Sequence, residues 1–442
     1  MPAIPLGLES YKRANGFEPE VQLRNLLLEE DKSGASPDNF MRISRPGLSR
    51  VIVAGTARGI HRQPGFLGGA YFVVVDTQFN VFTNAFSSKG VVLGDDLTAF
   101  ATAVDRVFVL GGGVIMSWNG TAYATVAMPD GRICTDIDTL NGYLIAGCPD
   151  GRFYWLEPGQ TAFDPLNFAT AESQLDAIVA VRRVGDEVWM FGSDTIEPWQ
   201  TTGDLAAPFQ RAAGRMYDRG CLARDTVRRF DNSVLWVGDD AVVYRGGAVP
   251  QRVSEHGIEE RIRSRAGFIN AWEADTDGHK LYVLNIPSHG TFAFDAATGK
   301  WSQFGEDSDM WMARVGHTDS AGTMAGGIGA LWKLDPDIAR DDDTAFTCMA
   351  TANVPVPSRP GRQDSFTIAT GSSADFTLKV RWKDGRDEFP DYYEELEARA
   401  PYDIVNLYRL GIPDQPMRSF QVVCNDPVKV RLSGALMNEG WK

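Results

Sequence analysis

The chain is poor in the residues that carry most enzyme and metal chemistry. It has five histidines, His61, His256, His279, His289 and His317, with no HExxH spacing and no pair four residues apart, which argues against a zinc-protease type of metal site. Its five cysteines, Cys134, Cys148, Cys221, Cys348 and Cys424, are odd in number and include no CxxC pair. They read as small core residues with free thiols, not as a disulfide frame or a zinc site. Basic residues are outnumbered, 43 Lys and Arg against 58 Asp and Glu, and a formal charge of −15 speaks against a surface that grips nucleic acid by counterion release. The same charge leaves open a surface that DNA slides past. No run approaches the ~20 apolar residues of a membrane-spanning helix. The first ten residues lack a charged segment followed by an apolar one, so the expectation is a chain without a secretion signal, made and folded in a cytoplasm.

Glycine and tryptophan are plentiful, at 45 and 11, and they fall in a recurring unit. Residues 187–199 (EVWMFGSDTIEPW) and 233–244 (SVLWVGDDAVVY) each read as a strand, a Gly-Asp type turn and a second strand closed by an aromatic. The glycine and its Ser or Asp neighbours are expected to supply the positive φ angles of a tight hairpin. Five more stretches follow the pattern, at 70–82, 106–118, 143–155, 281–294 and 322–332. Their first strands end at Val75, Leu110, Ala146, Phe191, Val237, Leu284 and Ala325, a spacing of roughly 35 to 47 residues, which is the range of a β-propeller blade. A lone hairpin leaves an apolar face and two edges bare, whereas blades packed around an axis bury those faces. The fold class is therefore all-β, a β-propeller of six or seven blades, with a β-sandwich or a string of small sheets as the competing arrangement.

The remainder divides around that propeller. Residues 1–46 lack the hairpin pattern and read as an extended N-terminal arm that packs on another domain or subunit, with 21–28 either a strand or a short helix. The propeller spans 47–335. Within it, Ser254 is placed to cap one helix that continues from His256 to about Arg263. Residues 336–343 form an acidic linker; the D-x-D-x-D-G spacing of a calcium loop is missing, so its carboxylates read as a solvated turn. Residues 344–442 carry alternating strands near 365–370, 376–382, 418–423 and 428–432 and read as a C-terminal antiparallel β-sandwich-like domain.

No catalytic constellation emerges. The Gly-Ser at 192–193 lacks the Gly-x-Ser-x-Gly elbow, and the glycine runs at 111–113 and 326–329 lead into strands without the helix terminus of a phosphate loop. Glycan-cleaving propellers use converging carboxylates; Asp239, Asp240, Asp275 and Asp277 are candidates, but their spacing selects no pair. No catalytic, cofactor or metal residues are assigned. One long loop after Lys383, dense in acidic and aromatic side chains, offers Phe389, Tyr392 and Tyr393 as a partner-contact site or reads as a plain polar loop.

The run 191–199 (FGSDTIEPW), Thr202-Gly203, Pro208-Phe-Gln210, Arg219-Gly-Cys221, 236–240 (WVGDD), Tyr244, 250–254 (PQRVS), His256, Ile258-Glu259 and Gly278-His279 resembles the packaged-DNA stabilisation family of short-tailed bacteriophages, also called head-completion or tail nozzle proteins. The resemblance extends to 291–301 (TFAFDAATGKW), Arg45-Pro-Gly-Leu48 and 428–434 (VKVRLSG), and is densest over roughly 178–305. It implies a structural virion protein and not an enzyme: a homohexamer ring of propellers below the portal, joined to the head-tail adaptor (connector) protein. Such a tail nozzle or hub retains packaged double-stranded DNA, conducts it through the lumen during ejection, and carries tail fibres or spikes. The competing functions are a monomeric propeller scaffold that holds peptides and a propeller glycan hydrolase.

Overall fold

The computed structural model describes residues 3–8, 21–171, 176–204, 207–306, 308–356, 362–385, 388–413 and 417–438. Each of the seven hairpins is present as the central strand pair of a blade: Tyr71–Val75 with Gln78–Phe82, Val107–Gly111 with Val114–Trp118, Tyr143–Gly147 with Arg152–Leu156, Glu187–Gly192 with Ile196–Thr201, Ser233–Val237 with Val243–Arg245, His279–Ile286 with Gly290–Asp295, and Gly322–Gly326 with Ile328–Asp335. One inner and one outer strand complete each pair, giving seven four-stranded blades. We number them 1 to 7 in the order of these hairpins.

The ring is closed by a single 16-residue strand, Gly47–Arg62. Its first part pairs with Ile328–Asp335 as the outer strand of blade 7, from Gly47 opposite Asp335 to Thr56 opposite Ile328. Its last part, from Ala57, pairs with Tyr71–Val75 as the inner strand of blade 1. Blades 7 and 1 are thereby joined by continuous backbone where the ring begins and ends.

The apolar content is divided into one layer per blade interface, as period-2 strands with two buried faces require. Phe191 and Trp236 meet edge to face at 5.5 Å between blades 4 and 5. Trp272 and Leu281 of blade 6 pack with Ala325 and Trp332 of blade 7, and Ala57 and Val73 of blade 1 with Val315 and Leu331 of blade 7. All five cysteines are buried free thiols. Burying a large aromatic such as Trp236, fully enclosed here, contributes a few kcal/mol or about 25 cal/mol per Å² of apolar surface.

Two local expectations need correction. The hairpin glycines Gly192 and Gly238 do not have positive φ. They are required by close approach: a Cβ on Gly192 would lie 2.1 Å from the Asp176 carboxylate, and one on Gly238 2.8 Å from Asp240 and Tyr244. Asp176 needs that space because it accepts hydrogen bonds from the backbone N–H groups of Asp194 and Thr195 at 3.0 and 2.9 Å, holding the turn from outside. Ser254 does not cap the helix His256–Arg263; Glu255 occupies that position, and the Ser254 hydroxyl accepts from Val243 N and donates to the buried Glu259.

The described strands of the segment read as an arm are built into the C-terminal sandwich. Residues 21–28 hold the strand Leu23–Arg24 and the start of Leu26–Glu30, parted by a bend at Asn25, and the hairpin Leu26–Glu30 with Phe40–Ser44 joins a sheet with Val430–Met437, Gln363–Ser372 and Tyr402–Gly411. Leu23–Arg24 lies antiparallel to Cys348–Pro355 on one side and parallel to Lys300–Phe304, the outer strand of blade 6, on the other. Propeller and sandwich thus share one continuous sheet. Leu23, Leu26, Leu27 and Leu28 are each at most 2% exposed, which explains why this leucine-rich stretch does not stand free.

A buried cation sits at the junction. Arg45, fully buried, donates two hydrogen bonds to Asp341 at 2.9 and 2.6 Å and one to Asn25 at 2.7 Å. Its guanidinium lies 4.0 Å from the Phe346 ring centroid and 4.6 Å from that of Trp311, which itself donates to Asp341 at 2.7 Å. The acidic stretch read as a solvated turn therefore contributes one buried carboxylate, because Arg45 requires a counter-charge inside the fold.

Candidate functional site

Seven inner strands run side by side around the propeller axis and enclose a cavity of about 430 Å³. Inner strands have one edge with no hydrogen-bonding neighbour in their own blade, so side chains satisfy the exposed backbone. In Asp136–Leu140 of blade 3 the alternate residues do this: Asp136 accepts from Val181 N at 2.9 Å and Asp138 from Arg183 N at 2.7 Å, both on blade 4. The same two carboxylates hold arginines in the cavity. Arg182 donates to Asp136 at 2.8 Å, and Arg229 of blade 5 donates to both oxygens of Asp138, at 2.5 and 2.7 Å.

Blades 1 and 7 contribute an aromatic wall. The rings of His61 and His317 meet at 5.2 Å, and His61 also stacks on Phe100 and shares a 2.6 Å hydrogen bond with Thr102. Burial, with smaller effects from His317 and Arg229, lowers the His61 pKa to about 3; burial also lowers that of His317. Both rings are neutral at physiological pH. Glu273 of blade 6 behaves in the opposite sense, since burial raises its carboxyl to about 7 against the pull of Arg228, Arg229 and Arg182. For Asp138, burial alone would raise the pKa, but Arg229 and Arg182 outweigh it and hold the carboxyl below its ordinary value.

This cavity has the volume of a small-ligand pocket. It cannot contain a length of double helix, whose major groove alone is about 12 Å wide. Any DNA path associated with this protein therefore runs outside the individual propeller. Among the described residues no three His, Cys, Asp or Glu side chains are grouped to hold a metal ion.

The residues singled out from sequence fall elsewhere. Phe389 and Tyr393 are half-buried and pack on Arg381, whose guanidinium lies 5.1 and 4.5 Å from their ring centroids. Tyr392 points outward, 68% exposed. The loop holding them is shortened by the strand Glu394–Ala398, which pairs with Phe376–Asp384. Asp239 and Asp240 lie in the turn between the two central strands of blade 5, whereas Asp275 and Asp277 lie where the inner strand of blade 6 turns into its neighbour. Successive turns of an antiparallel blade alternate between its two ends, so these four carboxylates do not converge on one mouth. Sequence reasoning passed over the cavity residues because short polar strands such as Asp136–Leu140 and Arg228–Phe230 resemble ordinary blade edges, and His61 and His317 come from opposite ends of the propeller sequence.

A family model described as "Bacteriophage P22 Gp10, beta-propeller" matches residues 4–319, from the first strand of the sandwich into blade 7. No curated protein matches the chain. Among solved structures, BBS1N in complex with ARL6DN aligns at a TM-score of 0.44 and 12% identity, over 66% of this chain and 97% of that one. The WD40 β-propeller domain of Doa1 gives 0.43 and 11%, over 65% and 97%. BamB from Moraxella catarrhalis gives 0.42 and 10%, over 71% and 98%.

Proposed function

Because this chain belongs to the phage stabilisation family of β-propeller proteins typified by bacteriophage P22 Gp10, we propose that it is the nozzle, or hub, of a short phage tail, a structural component that extends the channel below the portal and its adaptor. The family match over residues 4–319 is the observation that carries this reading. In this role several copies surround the DNA path, with six as the proposed number. The small axial cavity supports a conduit formed between subunits and not through each one.

The rest of the role is electrostatic and mechanical. Six copies of a chain with a formal charge of −15 would carry about −90, so acidic side chains facing the common bore would repel phosphates and keep the duplex mobile during ejection. Retention of packaged DNA then depends on narrowing of the bore. The sandwich, continuous in sheet structure with blade 6, supplies a rigid second surface for adaptor, fibres or spikes.

Negative-stain electron microscopy of the purified protein, alone and with the adaptor protein from the same genome, tests the proposal. Six-fold rings with a central opening in either sample support it. Single discs in both samples refute it and favour a monomeric scaffold.

A further inference from the structure

Independently of the tail role, we propose that the axial cavity is a binding site for a small oxyanion of the sulfate, phosphate or carboxylate class, held chiefly by Arg228 and Arg182 beside Glu273. The cavity runs against the charge of the protein as a whole. Five arginines and four carboxylates line it, in a chain where acids outnumber bases by 58 to 43.

The hydrogen bonds show where the unmet demand lies. Arg182 is paired with Asp136 and Arg229 with Asp138, while Asp225 belongs to Arg224. Arg228 spends its Nε on the Ala271 carbonyl at 2.7 Å and its Nη1 on the Val227 carbonyl at 2.9 Å. Its Nη2 group donates to no described residue; Arg182 Nε is buried without an acceptor, and Asp136 Oδ1 beside it without a donor. Unspent guanidinium donors lining a polar cavity suit an acceptor-rich guest, and a tetrahedral or planar oxyanion supplies several oxygens at once.

The Glu273 carboxyl makes no ion pair or hydrogen bond with a described residue, its backbone carbonyl alone accepting from Thr318, although Arg228, Arg229 and Arg182 all act on it electrostatically. When ionised it competes with an incoming anion for the same guanidinium groups. When neutral it adds a hydroxyl donor to the site. The carboxyl therefore sets how tightly the anion is held.

Calorimetric titration of the full-length protein with sodium sulfate at pH 8, against sodium chloride at matched ionic strength, tests the proposal. A saturable heat distinguishes binding from the general stabilisation by sulfate, which does not saturate. The expected result is one sulfate site per chain that chloride does not reproduce. Arg228→Met should weaken it by about tenfold or more, and Glu273→Gln should tighten it by about tenfold, each tenfold step being about 1.4 kcal/mol. Identical sulfate and chloride titrations would overturn the proposal, as would a sulfate site unaffected by Arg228→Met. If Arg228→Met does not fold, Glu273→Gln decides alone: unchanged or weaker sulfate binding in that variant overturns it. Repeating the titration with inorganic phosphate and with acetate then separates the members of the class.

Discussion

Removing the Asp341 side chain should loosen the joint between propeller and sandwich more than any surface change. Asp341→Ala deletes two hydrogen bonds to Arg45 and one from Trp311, and strands a guanidinium that is fully buried between Phe346 and Trp311. Breaking a buried pair from one side costs about 3 to 5 kcal/mol, because the remaining charge has lost its counter-ion. The orphaned Trp311 N–H adds to the loss, although the two effects overlap and do not sum. Urea unfolding, followed by tryptophan fluorescence and by far-ultraviolet circular dichroism, gives the midpoint shift and reveals whether the sandwich separates from the propeller before the blades unfold. Replacing both partners together, Arg45→Met with Asp341→Leu, should recover about 2 kcal/mol relative to Asp341→Ala, since no unpaired charge is left. A loss below about 1 kcal/mol in the single variant, or a double variant no more stable than the single, would refute the view that this ion pair locks the two domains together.

Three further predictions address the blades and the exposed loop. In Gly220→Ala the added Cβ would lie 1.8 Å from the Ser193 carbonyl oxygen, so the contact between the blade 4 turn and the chain entering blade 5 must open; a loss of about 1 to 3 kcal/mol in chemical denaturation is expected. For the buried His279, burial acts to lower the pKa, but the 2.8 Å contact with Asp295, helped by Glu29, outweighs it and leaves the folded value raised. Its contribution is fully present below the unfolded pKa of about 6.5 and is lost as pH rises through the folded value. Melting temperature of the parent minus that of His279→Gln should therefore shrink with rising pH from about 6 upward, and a pH-independent difference would exclude the linkage. Tyr392→Ala should change stability by no more than about 0.5 kcal/mol, because its ring is 68% exposed, while weakening capture of adaptor or fibre protein in a pull-down; unchanged capture would remove this residue from the partner surface.

The family relation was legible because its signatures are local. The FGSDTIEPW and WVGDD runs each fall on one hairpin, and glycine, aspartate and an aromatic are placed there by the turn itself. The reason for the glycines was not legible: Gly192 answers to the carboxylate of Asp176 on the preceding loop, which a reading of the turn alone could not include. Phe389 and Tyr393 stood out by composition, yet their packing on Arg381 depends on how the sandwich strands are aligned.

By itself the sequence determined the all-β class and the positions of the seven blade hairpins, since strand alternation and turn chemistry act within a dozen residues. Only the tertiary structure decided what closes the ring, where the strands between residues 21 and 44 pair, and which side chains meet on the axis. Each depends on partners far apart in the chain: Gly47 opposite Asp335, Leu23 opposite Ala350, His61 against His317, Arg229 on Asp138. A polar residue on a short strand has the same local pattern whether it faces solvent or another strand, and its chemistry is set by which neighbour the completed fold places in front of it.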